Sequence, residues 1–311
     1  TLTSDNTSVE SIEVAALGVP SRRQKIYAKK FVMAMGGLEN ARALLNCRSQ
    51  EPQGIGNQHD LVGRFFMEHF HLFAGYYAAP KQGWPYTDDM TYIASTPRWQ
   101  AMNNCGSVCF RLGATYDPGG NFGDMVRQQI CSTDAARDFV ELFKDIWCPI
   151  ETYRGGPAYV VSEQAPNPDS RVMLGQDVDE FGLSKIALDW QASDLDYDTL
   201  RQAAMGMGAA LARNKVGNLK LQDWLLEDKK TIPDVENSEW LGIGNHHMGT
   251  TRMARKATQG VVDSNCRVFG KQNLFVAGSS VFTTSGHANP TFTIVQLTLR
   301  LAQHLQKELV G

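Results

Sequence analysis

Residues 244–253 (GNHHMGTTRM), 260–270 (GVVDSNCRVFG) and 273–294 (NLFVAGSSVFTTSGHANPTFTI) form one nearly continuous run around which the chain is organised. Leu274 to Ala277 is a short apolar stretch that Gly278-Ser279-Ser280 breaks, as a buried strand ending in a turn would read. Asn289-Pro290 then reads as a helix start. Proline is favoured at the first helical position, and the amide of a preceding Asn satisfies an orphan backbone N–H. Phe292, Ile294, Val295, Leu297, Leu299, Leu301 and Leu305 make the helix that follows apolar over more than one stripe, the pattern of a buried helix. The positive end of such a helix favours nearby negative charge, for example a phosphate or a reduced ring. On these residues alone Asn289 is a cap. Polar groups held between an apolar strand and an apolar helix predict a site on rigid elements.

Working outward, the first 35 residues alternate in short β-like runs: Ser8 to Ala15, Lys25 to Tyr27 and Phe31 to Met35, with a turn over Gly18 to Arg23. Gly36-Gly37 ends the last run, and Leu38 to Asn46 reads as a helix with Leu38, Ala41, Leu44 and Leu45 on one side. Strand, glycine break and helix are the usual apparatus of a nucleotide-binding α/β sheet. No G-x-G-x-x-G follows a strand, however. Gly206 and Gly208 lie inside a predicted helix, and Gly242 and Gly244 precede the double histidine. Thr1 falls where a β-meander is already under way, so the chain reads as part of a longer protein.

From the FFMEHFH stretch to about residue 235 the character changes. Leu72 to Ala78, Tyr159 to Glu163, Arg171 to Leu174 and Ile186 to Trp190 read as strands, separated by turns at Pro166–Asp169 and Asp179–Gly182. Thr133 to Ile146 and Leu195 to Arg213 have helical spacing, the latter with Leu200, Ala203, Ala204, Met207, Ala210 and Leu211 on one face. Strands with few α crossovers predict an antiparallel sheet backed by helices. Trp84, Trp99, Trp147 and Trp190 could line a pocket, although aromatics of this kind more often fill a core.

Composition narrows the function classes. A chain of 311 residues can bury one large or two ordinary cores. With 30 Lys+Arg against 33 Asp+Glu, the net charge of −3 gives no basic footprint for nucleic acid or an anionic membrane. No apolar run approaches a membrane span, and the first residues are not a signal peptide. Six scattered cysteines without a C-x-x-C pair argue against a zinc site or a disulfide framework.

The paired histidines are the most reactive side chains in the run. Neighbours on an extended segment point to opposite faces, so only one of His246 and His247 can face a given pocket. A neutral imidazole is a natural acceptor of a hydroxyl proton near neutral pH, although structural histidines are common. Metal binding by His246, His247 and His287 is disfavoured: no carboxylate lies at ligand spacing, and an i, i+1 pair is poorly disposed. No metal is expected. A serine hydrolase is weaker still, since Gly278-Ser279-Ser280-Val281 lacks the G-x-S-x-G elbow.

Several segments together resemble the glucose-methanol-choline (GMC) flavin oxidoreductases: HHMGTTRM from His246, GVVD from Gly260, NLFVAGSS from Asn273 and GHANPTFTI from Gly286. Phe31 to Leu45 (FVMAMGGLENARALL) is similar to that family's strand and helix against the FAD adenosine end. Asp60 to His69 (DLVGRFFMEH) and Glu163 to Val172 (EQAPNPDSRV) resemble its sugar-oxidising branch, which includes pyranose oxidases, fructose dehydrogenases and gluconate dehydrogenase large subunits. The resemblance covers nearly the whole chain. The family's N-terminal portion, with the FAD phosphate loop and the acidic ribose ligand, has no counterpart here.

The fold implied is α/β plus α+β. An incomplete FAD-binding Rossmann-like domain, lacking its N-terminal phosphate-loop half, takes residues 1–66. An antiparallel-sheet substrate domain backed by helices takes 67–235, and 236–311 return to the FAD-binding domain with the catalytic motif. The family's histidine, three residues before the glycine of its H-x-x-G-T segment, selects His246; its second catalytic member matches Asn289. His246 would accept the alcohol proton as hydride leaves carbon for flavin N5, and Asn289 would bind the same oxygen while beginning the last helix. Ala34 and Gly36 would sit near the adenosine half of FAD, and Ala277, Gly278 and Ser279 near its pyrophosphate or ribityl chain. Asn289, Pro290 and Thr291 would bring the helix's positive end to the flavin. The expectation is a flavoenzyme oxidising a sugar or sugar-like alcohol, working with the missing N-terminal half or a complementary polypeptide that carries it. The competing expectation is a non-catalytic fragment or scaffold subunit that does not bind FAD alone.

Overall fold

A computed structural model describes residues 1–80, 90–113, 153–227 and 242–310. In chain order the strands are β1 (Ser11–Ala16), β2 (Val19–Tyr27), β3 (Phe31–Met33), β4 (Phe70–Pro80), β5 (Met90–Ala94), β6 (Val108–Gly113), β7 (Tyr153–Ser162), β8 (Arg171–Val178), β9 (Ser184–Asp189), β10 (Asn218–Leu221), β11 (Gly242–Ile243) and β12 (Leu274–Val276). The helices are α1 (Gly36–Asn46), α2 (Pro97–Asn103), α3 (Asp194–Arg213) and α4 (Thr291–Val310). The chain divides into two compact units. The first comprises Thr1–His69, Glu163–Asp196 and Ile243–Gly311; the second comprises Phe70–Ser162 and Tyr197–Gly242. Residues 163–196 therefore belong to the same unit as the two ends of the chain.

The first unit is centred on a parallel pair. β12 lies beside β3 with Leu274 opposite Phe31 and Val276 opposite Met33. All three residues of β12 are buried, as a continuous apolar run requires when both faces of a strand are covered. α1 follows β3 directly and buries Ala41, Leu44 and Leu45 on one side. It packs against the β8–β9 hairpin, where Arg42 donates from Nε to the Ser184 carbonyl at 2.8 Å and pairs with Asp179 at 2.5 Å. The β1–β2 hairpin turns at Leu17–Gly18, so the turn predicted over Gly18 to Arg23 is tighter than its sequence suggested and β2 already begins at Val19. Gly18 at φ 73° supplies the left-handed residue, and the polar run that follows is a solvated strand.

The final helix departs from the sequence expectation in one respect. Leu301 is buried, and Ile294, Leu297 and Leu305 pack against the core, which accounts for one stripe. Phe292, Val295 and Leu299, on the other stripe, are 74%, 48% and 55% exposed. The helix is apolar on two stripes but covered on one among the described residues.

The second unit is an antiparallel sheet in the order β10-β4-β7-β6-β5. The Thr96-Pro97 sequence starts α2 with a side-chain cap: Thr96 accepts from the Trp99 N–H at 3.2 Å, and Pro97 occupies the first turn. α3 buries Leu200, Ala203, Ala204, Met207 and Leu211 on the face its spacing predicted. Gly206 lets α3 approach Trp99, because a Cβ there would stand 2.9 Å from the indole ring. Around that contact lies a cavity of about 220 Å³ lined mainly by Trp99, Phe110, Ile93, Val108 and Met207. Thr133–Ile146, Trp84 and Trp147 lie outside the described residues.

Candidate active site

The segment carrying the two histidines is fixed from both sides. Met248 exchanges backbone hydrogen bonds with Met67, each 3.0 Å, and the Gly63 N–H donates to the Thr250 carbonyl at 2.7 Å. On the opposite edge Gly249, Thr251 and Met253 donate to the carbonyls of Ser279, Ser280 and Val281 at 3.2, 2.8 and 2.9 Å. His246 to Met253 is thus the middle element of an irregular three-part ladder, between the FFMEH stretch and the residues after β12. This satisfies the backbone polar groups of a segment that is neither helix nor strand.

Beneath it are the ends of the two parallel strands. Ala277 donates to the Met33 carbonyl at 2.7 Å, extending the β3–β12 pairing by one step. Both strands then leave through glycines in the left-handed region, Gly36 at φ 84° and Gly278 at φ 109°; a Cβ on Gly278 would lie 4.0 Å from the Gly36 Cα. Gly37 is required for a different reason: a Cβ there would stand 2.2 Å from the His247 carbonyl oxygen. Thr250 Oγ1 donates to the Gly37 carbonyl, and Ser279 Oγ donates to the His247 carbonyl at 2.6 Å. Asn40, fully buried on α1, ties the same corner together. Its Oδ1 accepts from the Met35 N–H at 3.0 Å, and its Nδ2 donates to the Ala277 carbonyl at 3.1 Å and to Ser280 Oγ at 2.9 Å. Of the residues singled out from sequence, Gly36, Ala277, Gly278 and Ser279 therefore gather at one place, with Ala34 at the end of β3.

The adjacent histidines diverge, as an extended segment demands. The His246 ring meets His69, with Nδ1 to Nδ1 at 3.0 Å and the rings edge-on at 74°. The His247 ring lies 5.7 Å from Phe66 between centroids, with Nε2 3.5 Å from a Glu68 carboxylate oxygen. Glu68 is only 2% exposed. Its Oε1 accepts from the backbone N–H groups of His69 and His246, both at 2.8 Å, and Oε2 accepts from His246 at 2.9 Å. A buried carboxylate is retained only where such donors replace water.

The Asn289 loop is anchored by the EQAP segment. Ser285 Oγ accepts from the Gln164 N–H at 3.1 Å and donates to the Gln164 carbonyl at 3.3 Å, and Gly286 donates to Glu163 at 3.1 Å. Gln164 is fully buried: its Oε1 accepts from the Glu68 N–H at 2.9 Å and Trp190 Nε1 at 2.8 Å, while Nε2 donates to the Gln191 carbonyl at 2.9 Å. One side chain thus connects the histidine neighbourhood with the segment that holds the loop. Burial pushes the His287 imidazole below its usual range, partly opposed by the Glu163 carboxylate. Burial likewise raises Asp196, against hydrogen bonds from Ala165 and Ser193 that favour its ionised form. Asn289 itself is exposed, two residues before Thr291; Pro290 is buried, and its carbonyl accepts the first helical bond from Ile294 at 2.9 Å. The helix begins one residue later than the sequence predicted.

Sequence reasoning did not assign roles to Glu68, His69 and Gln164. Their signal was present, since Glu68 and His69 interrupt the apolar stretch FFMEHFH and a Gln precedes A-P-N-P, but nothing local says that they are buried.

Residues 166–298 match the GMC oxidoreductase C-terminal family model. Fructose dehydrogenase large subunit from Gluconobacter japonicus is 25% identical over 299 residues, covering 92% of this chain and 48% of that protein. C-glycoside 3-oxidase from Microbacterium trichothecenolyticum is 31% identical over 140 residues, covering 43% of this chain and 24% of that protein. Pyridoxine 4-oxidase from Mesorbium loti has the same fold over 97% of this chain and 55% of its own, with a TM-score of 0.56 at 14% identity. The chain spans about half the length of the curated relatives that it matches over most of its residues.

Proposed function

From the match of residues 166–298 to the GMC oxidoreductase C-terminal family model, we propose that this chain forms the catalytic part of an FAD-dependent oxidoreductase acting on a sugar or sugar-like alcohol. The observation that carries this reading is the contact of the His246-His247 backbone with both glycine turns. Gly37 lies under the His247 carbonyl, and Ser279 Oγ holds the same carbonyl at 2.6 Å.

The residues present fit the cofactor. Open α/β sheets bind ligands at the carboxyl ends of their parallel strands, where β3 and β12 end here. Gly36 and Gly278 offer backbone without side chains, so phosphate oxygens can approach closely. α1 has no side-chain cap on its first turn, which leaves its N–H groups available to an anion. Ala34 and Gly36 serve the adenosine side, and Ala277, Gly278 and Ser279 the pyrophosphate. The single hydroxyl proton of Ser279 is already given to His247, so that residue contributes through its backbone. Pro290 and Thr291 bring the positive end of α4 to the flavin; no acidic residue in its first turn opposes this.

FAD, when bound, supplies the acceptor for the hydride that leaves the alcohol carbon. His246 takes the hydroxyl proton, and Asn289 donates to the same oxygen, keeping the C–H directed at the acceptor. Fructose dehydrogenase and C-glycoside 3-oxidase are named for sugar substrates, which supports a carbohydrate-like alcohol here. The rest of the FAD-binding domain comes from a missing N-terminal half or from a complementary polypeptide that carries it. Val32, Met35, Phe292, Val295 and Leu299 support this, being between 45% and 74% exposed despite their apolar character.

The test is flavin absorbance of the protein joined to the missing N-terminal half or to the complementary polypeptide that carries it, followed by anaerobic addition of sugars. Bleaching of the flavin by a sugar is expected. A colourless preparation that ignores added FAD, or a bound flavin that no sugar or alcohol reduces, overturns the reading.

A further inference from the structure

His69 is fully buried, and its Nδ1 lies 3.0 Å from Nδ1 of the partly exposed His246. Two neutral imidazoles at this distance share one proton between the facing nitrogens, so each fixes the tautomer of the other. If His246 donates, the lone pair that the pair leaves over is at Nε2 of His246, on the ring that reaches solvent. If His69 donates, that lone pair is on a ring with no exposed surface. Only the first arrangement gives a base that an alcohol can reach.

Glu68 adds a charge at the right place. Its carboxylate accepts the His246 backbone N–H through both oxygens and the His69 N–H through one. The negative charge therefore sits beside both residues in a medium of low dielectric, where it opposes the positive charge the ring pair gains with a proton.

We propose that His69 is a positioning residue: as acceptor from His246 Nδ1–H it holds His246 in the tautomer whose Nε2 takes the substrate proton, with Glu68 as the buried counter-charge. In the step itself the alcohol O–H bond breaks and the His246 Nε2–H bond forms. The Nδ1–H stays on His246 and strengthens its bond to His69. The inference rests on the reading of His246 as the base and assigns to two further residues what makes that base competent.

The measurement is long-range ¹H–¹⁵N correlation on histidine-labelled full-length protein, with His246 identified by its loss in His246→Asn. The wild-type protein should show His246 protonated at Nδ1 and bare at Nε2. His69→Leu should abolish that pattern and slow flavin reduction by sugar on the order of a hundredfold. His69→Asn, whose side-chain oxygen can stand near the position of Nδ1, should restore the pattern and most of the rate. A wild-type His246 protonated at Nε2, or an unchanged pattern in His69→Leu, overturns the proposal; the wild-type arm does not depend on any variant folding. Failure of the base reading looks different, with His246→Ala leaving flavin reduction intact whatever the tautomer.

Discussion

A methyl group on Gly37 would stand 2.2 Å from the carbonyl oxygen of His247, so the first turn of α1 and the histidine segment are in backbone-to-backbone contact. Neither side can yield as a flexible side chain would. Gly37→Ala should gain about 1 kcal/mol of helix propensity yet lose more through overpacking, up to about 3 kcal/mol. The expected result is a clear fall in thermal midpoint together with loss of bound flavin. An unchanged midpoint would show that the contact is looser than this distance implies.

His246 and His247 should separate kinetically. His246→Ala removes the base and should slow anaerobic flavin reduction by about 10²–10⁴-fold while FAD stays bound. His247→Ala, whose ring turns to Glu68 and Phe66, should act mainly on stability. Asn289 is exposed, so Asn289→Ala should shift the unfolding midpoint very little, within about 0.5 kcal/mol, and still lower the reduction rate. Equal rates for the His246 and His247 variants would remove the assignment.

Glu68→Ala should be among the most damaging substitutions outside the apolar core. It leaves the His69 and His246 N–H groups without their acceptor, at about 1–3 kcal/mol for each unsatisfied buried donor. Glu68→Gln keeps one oxygen and should fall between wild type and Glu68→Ala in urea unfolding. The order wild type, Gln, Ala is the outcome to check; a Gln variant as stable as wild type would mean that the charge itself contributes nothing.

Acid should loosen the Asn289 loop through His287. Burial lowers the folded-state pKa of this imidazole below its ordinary value of 6.5. The sign follows from proton counting: below the ordinary value the unfolded chain takes up a proton that the folded one refuses. The contribution of His287 is therefore intact above that value and is lost as pH falls toward the lower folded value. Thermal midpoints compared between about pH 5 and 8 should fall less steeply on the acid side for His287→Gln than for wild type. Parallel curves would count against it.

The parts of this architecture written in periodicity and breakers were legible. Phe31 to Leu45 contains β3, the glycine break and α1, and Leu274 to Ile294 contains β12, its break at Gly278 and the start of α4. Both motifs are local, so hydrophobic pattern and backbone constraints suffice to read them. The environments of Glu68 and Gln164 were not legible, because their partners come from elsewhere in the chain. A carboxylate in FFMEHFH looks like a solvated charge until the His246 N–H is found beside it. The second stripe of α4 shows the complementary limit: Phe292, Val295 and Leu299 declare an apolar face, but pattern alone does not say what covers it.

The distances along the chain between these partners have a consequence for biogenesis. His69 and His246 are 177 residues apart, and Gly37 and Thr250 are 213 apart. At translation rates of about 5–20 residues per second, Glu68 leaves the ribosome roughly 10–35 s before the amide it must accept. Throughout that interval the earlier nascent segment carries an anion and an apolar strand with no partner to shield them. Its folding is thus committed late, when the His246 segment arrives, and a holdase that occupies β3 and α1 until then should raise the yield of native protein.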